Sequence, residues 1–125
     1  MILVDTSVWI EHLRKGVPAL AGALESGQVL IHPFVVGELA CGSLGPGRLE
    51  FLALLRELSA APVASDEEAL GFIEAHRLAG RGIGYVDVHL LAAATLAGDA
   101  HLWTRDRRLA AVAQSLSLDW NGARR

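Results

Sequence analysis

Met1-Ile2-Leu3-Val4-Asp5-Thr6-Ser7 begins with four apolar side chains and no polar break, then turns at once to a carboxylate and two hydroxyls. An uninterrupted apolar run of this kind predicts a strand covered on both faces, as parallel sheets require. A helix is expected directly after it, from Val8 to about Arg14. A strand that feeds a helix in this way presents Asp5 at the carboxyl edge of the sheet, where open α/β folds bind their ligands. A plainer role is also open to these residues. Asp5, Thr6 or Ser7 can cap the helix, because short polar side chains accept from its unpaired N–H groups.

Beyond this stretch, strand and helix signals alternate. Gly16-Val17-Pro18 breaks the chain before a short helix over Ala19–Glu25, and Val29-Leu30-Ile31 reads as a second buried strand ended by His32-Pro33. Phe34 to about Gly42 reads as helix. After the turn Gly45-Pro46-Gly47, an amphipathic helix is expected over Arg48–Leu58, with Leu49, Leu52, Leu55 and Leu58 at helical spacing. Ala61–Ala64 is a weak third strand. Ser65 opens a helix with Asp66, Glu67 and Glu68 in its first turn and Arg77 near its last, an order that suits the helix dipole. Gly80-Arg81-Gly82-Ile83-Gly84 is a flexible loop, and a long apolar helix runs from Tyr85 or Asp87 to about Ala97. His101-Leu102-Trp103 is a fourth strand, Asp106–Ser115 a helix, and Leu116–Trp120 an edge strand. This alternation predicts an α/β fold: a central, mainly parallel sheet of four to five strands surrounded by helices, in a single domain over residues 1–125.

Composition sets outer limits. The chain has 125 residues, of which 52% are hydrophobic, and its mean hydropathy is +0.36. An apolar surface used for self-association, and so a homodimer, is consistent with that richness. No apolar run approaches the roughly 18–20 residues of a membrane span. The N-terminal apolar run lacks the basic flank and the length of a signal peptide, which predicts a cytoplasmic location. With 11 basic against 14 acidic residues the net charge is −3, so the chain is not a strongly basic binder that grips nucleic acid through bulk charge. Cys41 is the only cysteine, and no internal disulfide can form.

Four acids stand in unusual company. Glu38 lies in a segment, Phe34–Gly42, with no other charged or hydroxyl side chain, which predicts a carboxylate buried in an apolar helix. A buried glutamate paired with an arginine, or one that reaches out at an edge, is the alternative. Asp87 precedes a nearly all-apolar helix, and Asp106 follows a strand and begins another helix; for both, an N-cap is the alternative. In a parallel α/β sheet, strand ends and helix starts meet at one edge. Asp5 and Asp106 follow strands, while Glu38 and Asp87 lie in the first turns of helices, so all four should gather at one rim. Clustered carboxylates repel, and a hard divalent cation such as Mg²⁺ or Mn²⁺ relieves the repulsion.

Other chemistries fail on spacing. His12, His32, His76, His89 and His101 are scattered with no pair suited to zinc, and the glycine loop lacks the Lys-Ser/Thr tail of a phosphate-binding P-loop. No acyl-transfer nucleophile motif is present. Arg105, Arg107 and Arg108 surround a helix N-terminus, where the dipole disfavours cations, and Arg77 and Arg81 flank the glycine loop. Solvated surface is the ordinary reading. Contact with a phosphate backbone entering the acidic site is the functional one.

The ordered set Val4-Asp5-Thr6-Ser7-Val8-Trp9, Glu38-Leu39, Asp87-Val88-His89-Leu90-Leu91-Ala92-Ala93-Ala94 and Leu102-Trp103-Thr104-Arg105-Asp106 resembles PIN-domain ribonucleases of the VapC toxin type. The resemblance implies a PIN-like fold with Asp5, Glu38, Asp87 and Asp106 as catalytic, metal-holding acids, and Thr6 and Thr104 as hydroxyls beside them. It also implies Mg²⁺- or Mn²⁺-dependent hydrolysis of RNA to 5′-phosphate and 3′-hydroxyl ends, dimerisation, and neutralisation by a cognate antitoxin protein whose C-terminal segment occupies the active-site groove. It assigns His89 no role. A non-catalytic PIN-like module that only binds RNA or protein is the alternative. A haloacid-dehalogenase-type phosphatase fits poorly because Ser7 stands where a second Asp is needed, and a receiver domain because Lys15 is the sole lysine.

Overall fold

The computed structural model describes residues 1–121, so the last four residues of the expected 1–125 domain lie outside the described residues. In chain order the elements are β1 (Ile2–Val4), α1 (Thr6–Lys15), α2 (Pro18–Glu25), β2 (Val29–Ile31), α3 (Pro33–Ala40), α4 (Arg48–Arg56), β3 (Ser59–Ala60), α5 (Asp66–His76), α6 (Tyr85–Ala97), β4 (His101–Trp103) and α7 (Arg107–Ser115). The sheet has four strands in the order β3-β2-β1-β4, and every neighbouring pair is parallel. This is the α/β, PIN-like arrangement of a parallel sheet surrounded by helices.

The first strand is central because it is apolar throughout. Ile2 faces Val29 on one side and His101 on the other, Leu3 faces Leu30 and Leu102, and Val4 pairs with Trp103. Each parallel pair needs a crossover, and the helices supplied by those crossovers cover both faces of the sheet. Leu3 and Val4 are fully buried. The ladder runs one residue past β1, where the Asp5 N–H donates to the Trp103 carbonyl at 2.9 Å. That bond sets Asp5 at the carboxyl edge beside the turn that follows β4.

Helix α6 forms the largest buried element, with Val88 through Ala94 all inaccessible, and it packs on β4 and α5. Its alanines bring the helix axis close to its neighbours. α1 packs on α3, which carries Thr6 to Glu38. α5 begins with a reciprocal capping box: the Glu68 N–H donates to Ser65 Oγ at 3.0 Å, and the Ser65 N–H donates to Glu68 Oε1 at 2.8 Å. It ends where Arg77, at φ 54°, takes a left-handed conformation.

Several expectations need correction. The third strand is Ser59–Ala60 rather than Ala61–Ala64. Pairing extends only as far as the Ala61 N–H, which donates to the Ile31 carbonyl at 2.8 Å, and Pro62 has no N–H to continue it. The edge strand Leu116–Trp120 is reduced to a single parallel bridge between Leu102 and Asp119, after Ser117 turns with φ 57°. α4 stops at Arg56, and its expected apolar stripe is only partly covered: Leu55 is 2% exposed, whereas Leu49 is 78% exposed. α1 starts at Thr6 rather than Val8, so the hydroxyl residues belong to its first turn.

Candidate active site

Asp5 is buried at the mouth of the sheet, 7% exposed. It occupies the N-cap position of α1, yet its side chain makes no capping bond. Instead Oδ2 accepts from Ser7 Oγ and from Thr104 Oγ1, each at 2.7 Å. Those hydroxyls are themselves fixed by backbone donors: the Arg105 N–H donates to Ser7 Oγ at 3.0 Å, and the Asp106 N–H donates to Thr104 Oγ1 at 3.0 Å. Each hydroxyl has one proton, and with its oxygen accepting an N–H that proton is committed to Asp5. The relay clasps the turn after β1 to the turn after β4 and holds one carboxylate oxygen still.

The other three acids are each turned by one local donor. Glu38 Oε1 accepts from Thr6 Oγ1 at 2.6 Å. Asp87 Oδ2 accepts from the Gly84 N–H at 3.0 Å. Asp106 Oδ1 caps α7, accepting from the N–H groups of Arg108 at 2.9 Å and Leu109 at 3.1 Å. Capping and ligation are therefore not exclusive alternatives here. In each of the four acids one oxygen is bonded, and the second has no protein hydrogen-bond partner among the described residues.

Glu38 corrects one expectation. Its helix is not buried all round: Val35 and Leu39 face inward, while Phe34, Gly37 and Glu38 are exposed. The carboxylate lies at an open rim, and no guanidinium among the described residues neutralises it. Among the described residues the one guanidinium–carboxylate ion pair is Arg105 with Glu11, and the other close nitrogen–carboxylate approach is His89 Nε2 to Asp66 Oδ1 at 3.8 Å; neither involves the four acids.

The acids act on one another. Burial pushes the Asp87 carboxyl above its ordinary range, the Gly84 N–H pulls it back, and the charges of Asp5, Asp106 and Glu38 each raise it further. Among the described residues no three acidic, histidine or cysteine side chains converge closely enough to chelate one ion as they stand. The donor set nevertheless fits a hard cation. It is all oxygen and, among the described residues, carries no compensating cation and keeps an unbonded oxygen on each carboxylate.

Of the arginines, Arg105 donates to Glu11 Oε1 at 2.9 Å and lies 5.8 Å from the Trp103 ring centroid. That bond holds the Glu11 carboxyl below its usual range. Arg81, Arg107 and Arg108 are exposed. Arg77 ends α5. His89 is buried, edge-on to Phe34 and Tyr85 with ring centroids 4.8 and 4.7 Å away, so it is part of the packing. Ser7 is the residue bonded to Asp5 that spacing alone does not single out. Its signal was present in the second hydroxyl after Asp5, but its partner Thr104 is 97 residues away.

A parallel sheet that ends in an acidic rim of this make-up belongs to a known class. The PIN domain family matches residues 2–115, and the chain is a member of it. Within that family it is similar to Ribonuclease VapC32 from two strains of Mycobacterium tuberculosis. It is 49% identical to either over 116 residues, which cover 92% of this chain and 93% of the relative.

Proposed function

We propose that the protein is an endoribonuclease that hydrolyses RNA phosphodiester bonds with the help of Mg²⁺ or Mn²⁺, and that it is the toxin of a toxin–antitoxin pair acting in the cytosol. The observation that carries this reading is the rim itself: acids from four separate segments, held by hydroxyl and backbone donors and, among the described residues, left without a cationic partner. Asp5, Glu38, Asp87 and Asp106 would hold the ion. Bound there, it would supply a Lewis acid that makes a neighbouring water more acidic and offsets charge on the phosphoryl oxygens.

The chain's own residues do the rest. Ser7 and Thr104 fix Asp5 Oδ2, which leaves Oδ1 with a set direction, and Thr6 does the same for Glu38 through Oε1. Arg81, Arg107 and Arg108 are exposed cations that would be able to hold backbone phosphates, whereas Arg105 is already engaged by Glu11. In the reaction a water oxygen bonds to phosphorus and the bond to O3′ breaks. The leaving oxygen takes a proton, which yields 5′-phosphate and 3′-hydroxyl ends.

The same reading gives an antitoxin protein as partner and a homodimer as the working form. A groove of about 440 Å³ lined by Ile10, Leu13, Leu39 and Phe51 runs to Glu38. Ile10 and Leu13 are large apolar side chains left in the open, as a partner-binding surface requires.

The test is cleavage of labelled RNA by purified protein with Mg²⁺ or Mn²⁺, with and without chelator, beside Asp5→Asn. Asparagine can still accept from Ser7 and Thr104, so the fold is expected to survive. Cleavage is expected to fall by about a hundredfold or more. Full activity in the folded variant, or in excess chelator, would sink the proposal.

A further inference from the structure

Gly82 lies in the loop between α5 and α6 with φ +81°, and the side chain of Arg108 crosses directly over it. A Cβ at residue 82 would stand 2.7 Å from Arg108 Cδ, 3.0 Å from Nη1 and 3.3 Å from Nε. The arginine has room along this path because residue 82 has no side chain. The two residues come from segments that hold two different acids of the rim. Arg108 is in the first turn of α7 and gives its N–H to Asp106, while the glycine loop leads into α6 and gives the Gly84 N–H to Asp87.

The charge pattern is informative as well. Arg108 sits between the helix starts that carry two of the four acids, yet among the described residues it forms no ion pair, whereas Arg105 is paired with Glu11. Its guanidinium keeps a planar fork of donors, the geometry that matches phosphate oxygens. Contact along the glycine restricts the alkyl chain, so less side-chain entropy remains to be lost when a ligand binds.

We propose that Gly82 is the seat of Arg108, and that Arg108 held there anchors a backbone phosphate of the RNA beside the acidic rim. The proposal rests on the RNA-cleaving function above. Gly82 acts only through Arg108 and is a positioning residue; Arg108 is the group that touches substrate. An alanine at 82 meets the far part of a flexible side chain, so the arginine would be displaced rather than the fold.

Gly80 supplies the control. Its φ is +75° and nothing lies within 4 Å of its Cβ position, so Gly80→Ala introduces the same kind of backbone strain without touching Arg108. Cleavage kinetics are to be measured for Arg108→Ala, Arg108→Lys, Gly82→Ala, Gly80→Ala and the Arg108→Ala/Gly82→Ala double variant. Binding of a fluorescent single-stranded RNA is followed in parallel against salt concentration. Arg108→Ala and Gly82→Ala are each expected to raise KM about tenfold with kcat little changed. Arg108→Lys should recover part of the loss, Gly80→Ala should behave as wild type, and the double variant should be no worse than Arg108→Ala. The slope of log affinity against log salt should be shallower by about 0.7 in both damaged variants, the amount for one phosphate on a single strand. Equal behaviour of Gly82→Ala and Gly80→Ala, or additive losses in the double variant, would overturn the seat. Unchanged KM and salt slope in Arg108→Ala, with wild type active, would overturn the anchor alone. Failure of the wild-type protein to bind RNA would remove the parent reading and this inference with it.

Discussion

Asp5 is held by two hydroxyl donors, one on a residue two positions along and one on a distant threonine. Ser7 Oγ receives the Arg105 N–H and passes its own proton to Asp5. Ser7→Ala therefore removes one bond to the carboxylate and leaves a backbone N–H to water. We expect a stability loss of about 1 kcal/mol by thermal denaturation. A fall in kcat of about tenfold or more should accompany it, since partners that orient ligating carboxylates are known to matter on that scale. Unchanged kcat would show that Thr104 alone suffices. This residue also marks how far the sequence could be read. Asp5, Glu38, Asp87 and Asp106 are legible as acids at strand ends and in the first turns of helices, where topology alone brings them to one edge, although the burial expected of Glu38 is absent. The relay through Ser7 and the path of Arg108 over Gly82 join segments far apart in the chain, and no local pattern encodes a distance between them.

The elements show a similar division. α6 was legible because an apolar run of that length has only one helical solution, and the central strands because Ile2–Val4 and Val29–Ile31 are apolar throughout. β3 was not, since Ser59 and Ala60 are both exposed and carry no hydrophobic signal. They are strand only because β2 offers an open edge, a tertiary effect that overrides local preference. The close seating of α6 yields its own expectation. Ala93 is fully buried, and Ala93→Leu adds volume where the packing has none to spare. Overpacking of this sort costs about 1–3 kcal/mol. Because α6 carries Asp87, the displaced helix should also lower cleavage at temperatures where the protein remains folded, as circular dichroism would establish. A stable, fully active variant would mean that α6 can shift without disturbing the rim.

At the scale of the whole molecule, folding should be linked to pH through the histidine that caps α3. His32 is fully buried, and its Nδ1 accepts from the Phe34 N–H at 3.0 Å. Burial first, and the nearby His89 second, push its pKa down from 6.5 to about 4. Below pH 6.5 the unfolded chain takes up a proton that the folded state refuses, so stability should fall as pH drops from about 6.5 towards 4, by up to about 3 kcal/mol. Asp87 works in the opposite sense: its raised pKa means that the folded state takes a proton first, which adds stability as pH falls toward its ordinary value of 3.8. The histidine shift is the larger, and it sets the sign through most of the window. Urea melts at several pH values should show the slope, and His32→Asn, which keeps an acceptor for the Phe34 N–H, should flatten it. An unaltered slope would place the linkage elsewhere. The clasp on Asp5 has a consequence in time. Its threonine lies 99 residues downstream, so the Asp5 carboxylate stays unpositioned until the turn after β4 has been synthesised. A proteolytic fragment that ends before that turn would keep the acid and lose its clasp.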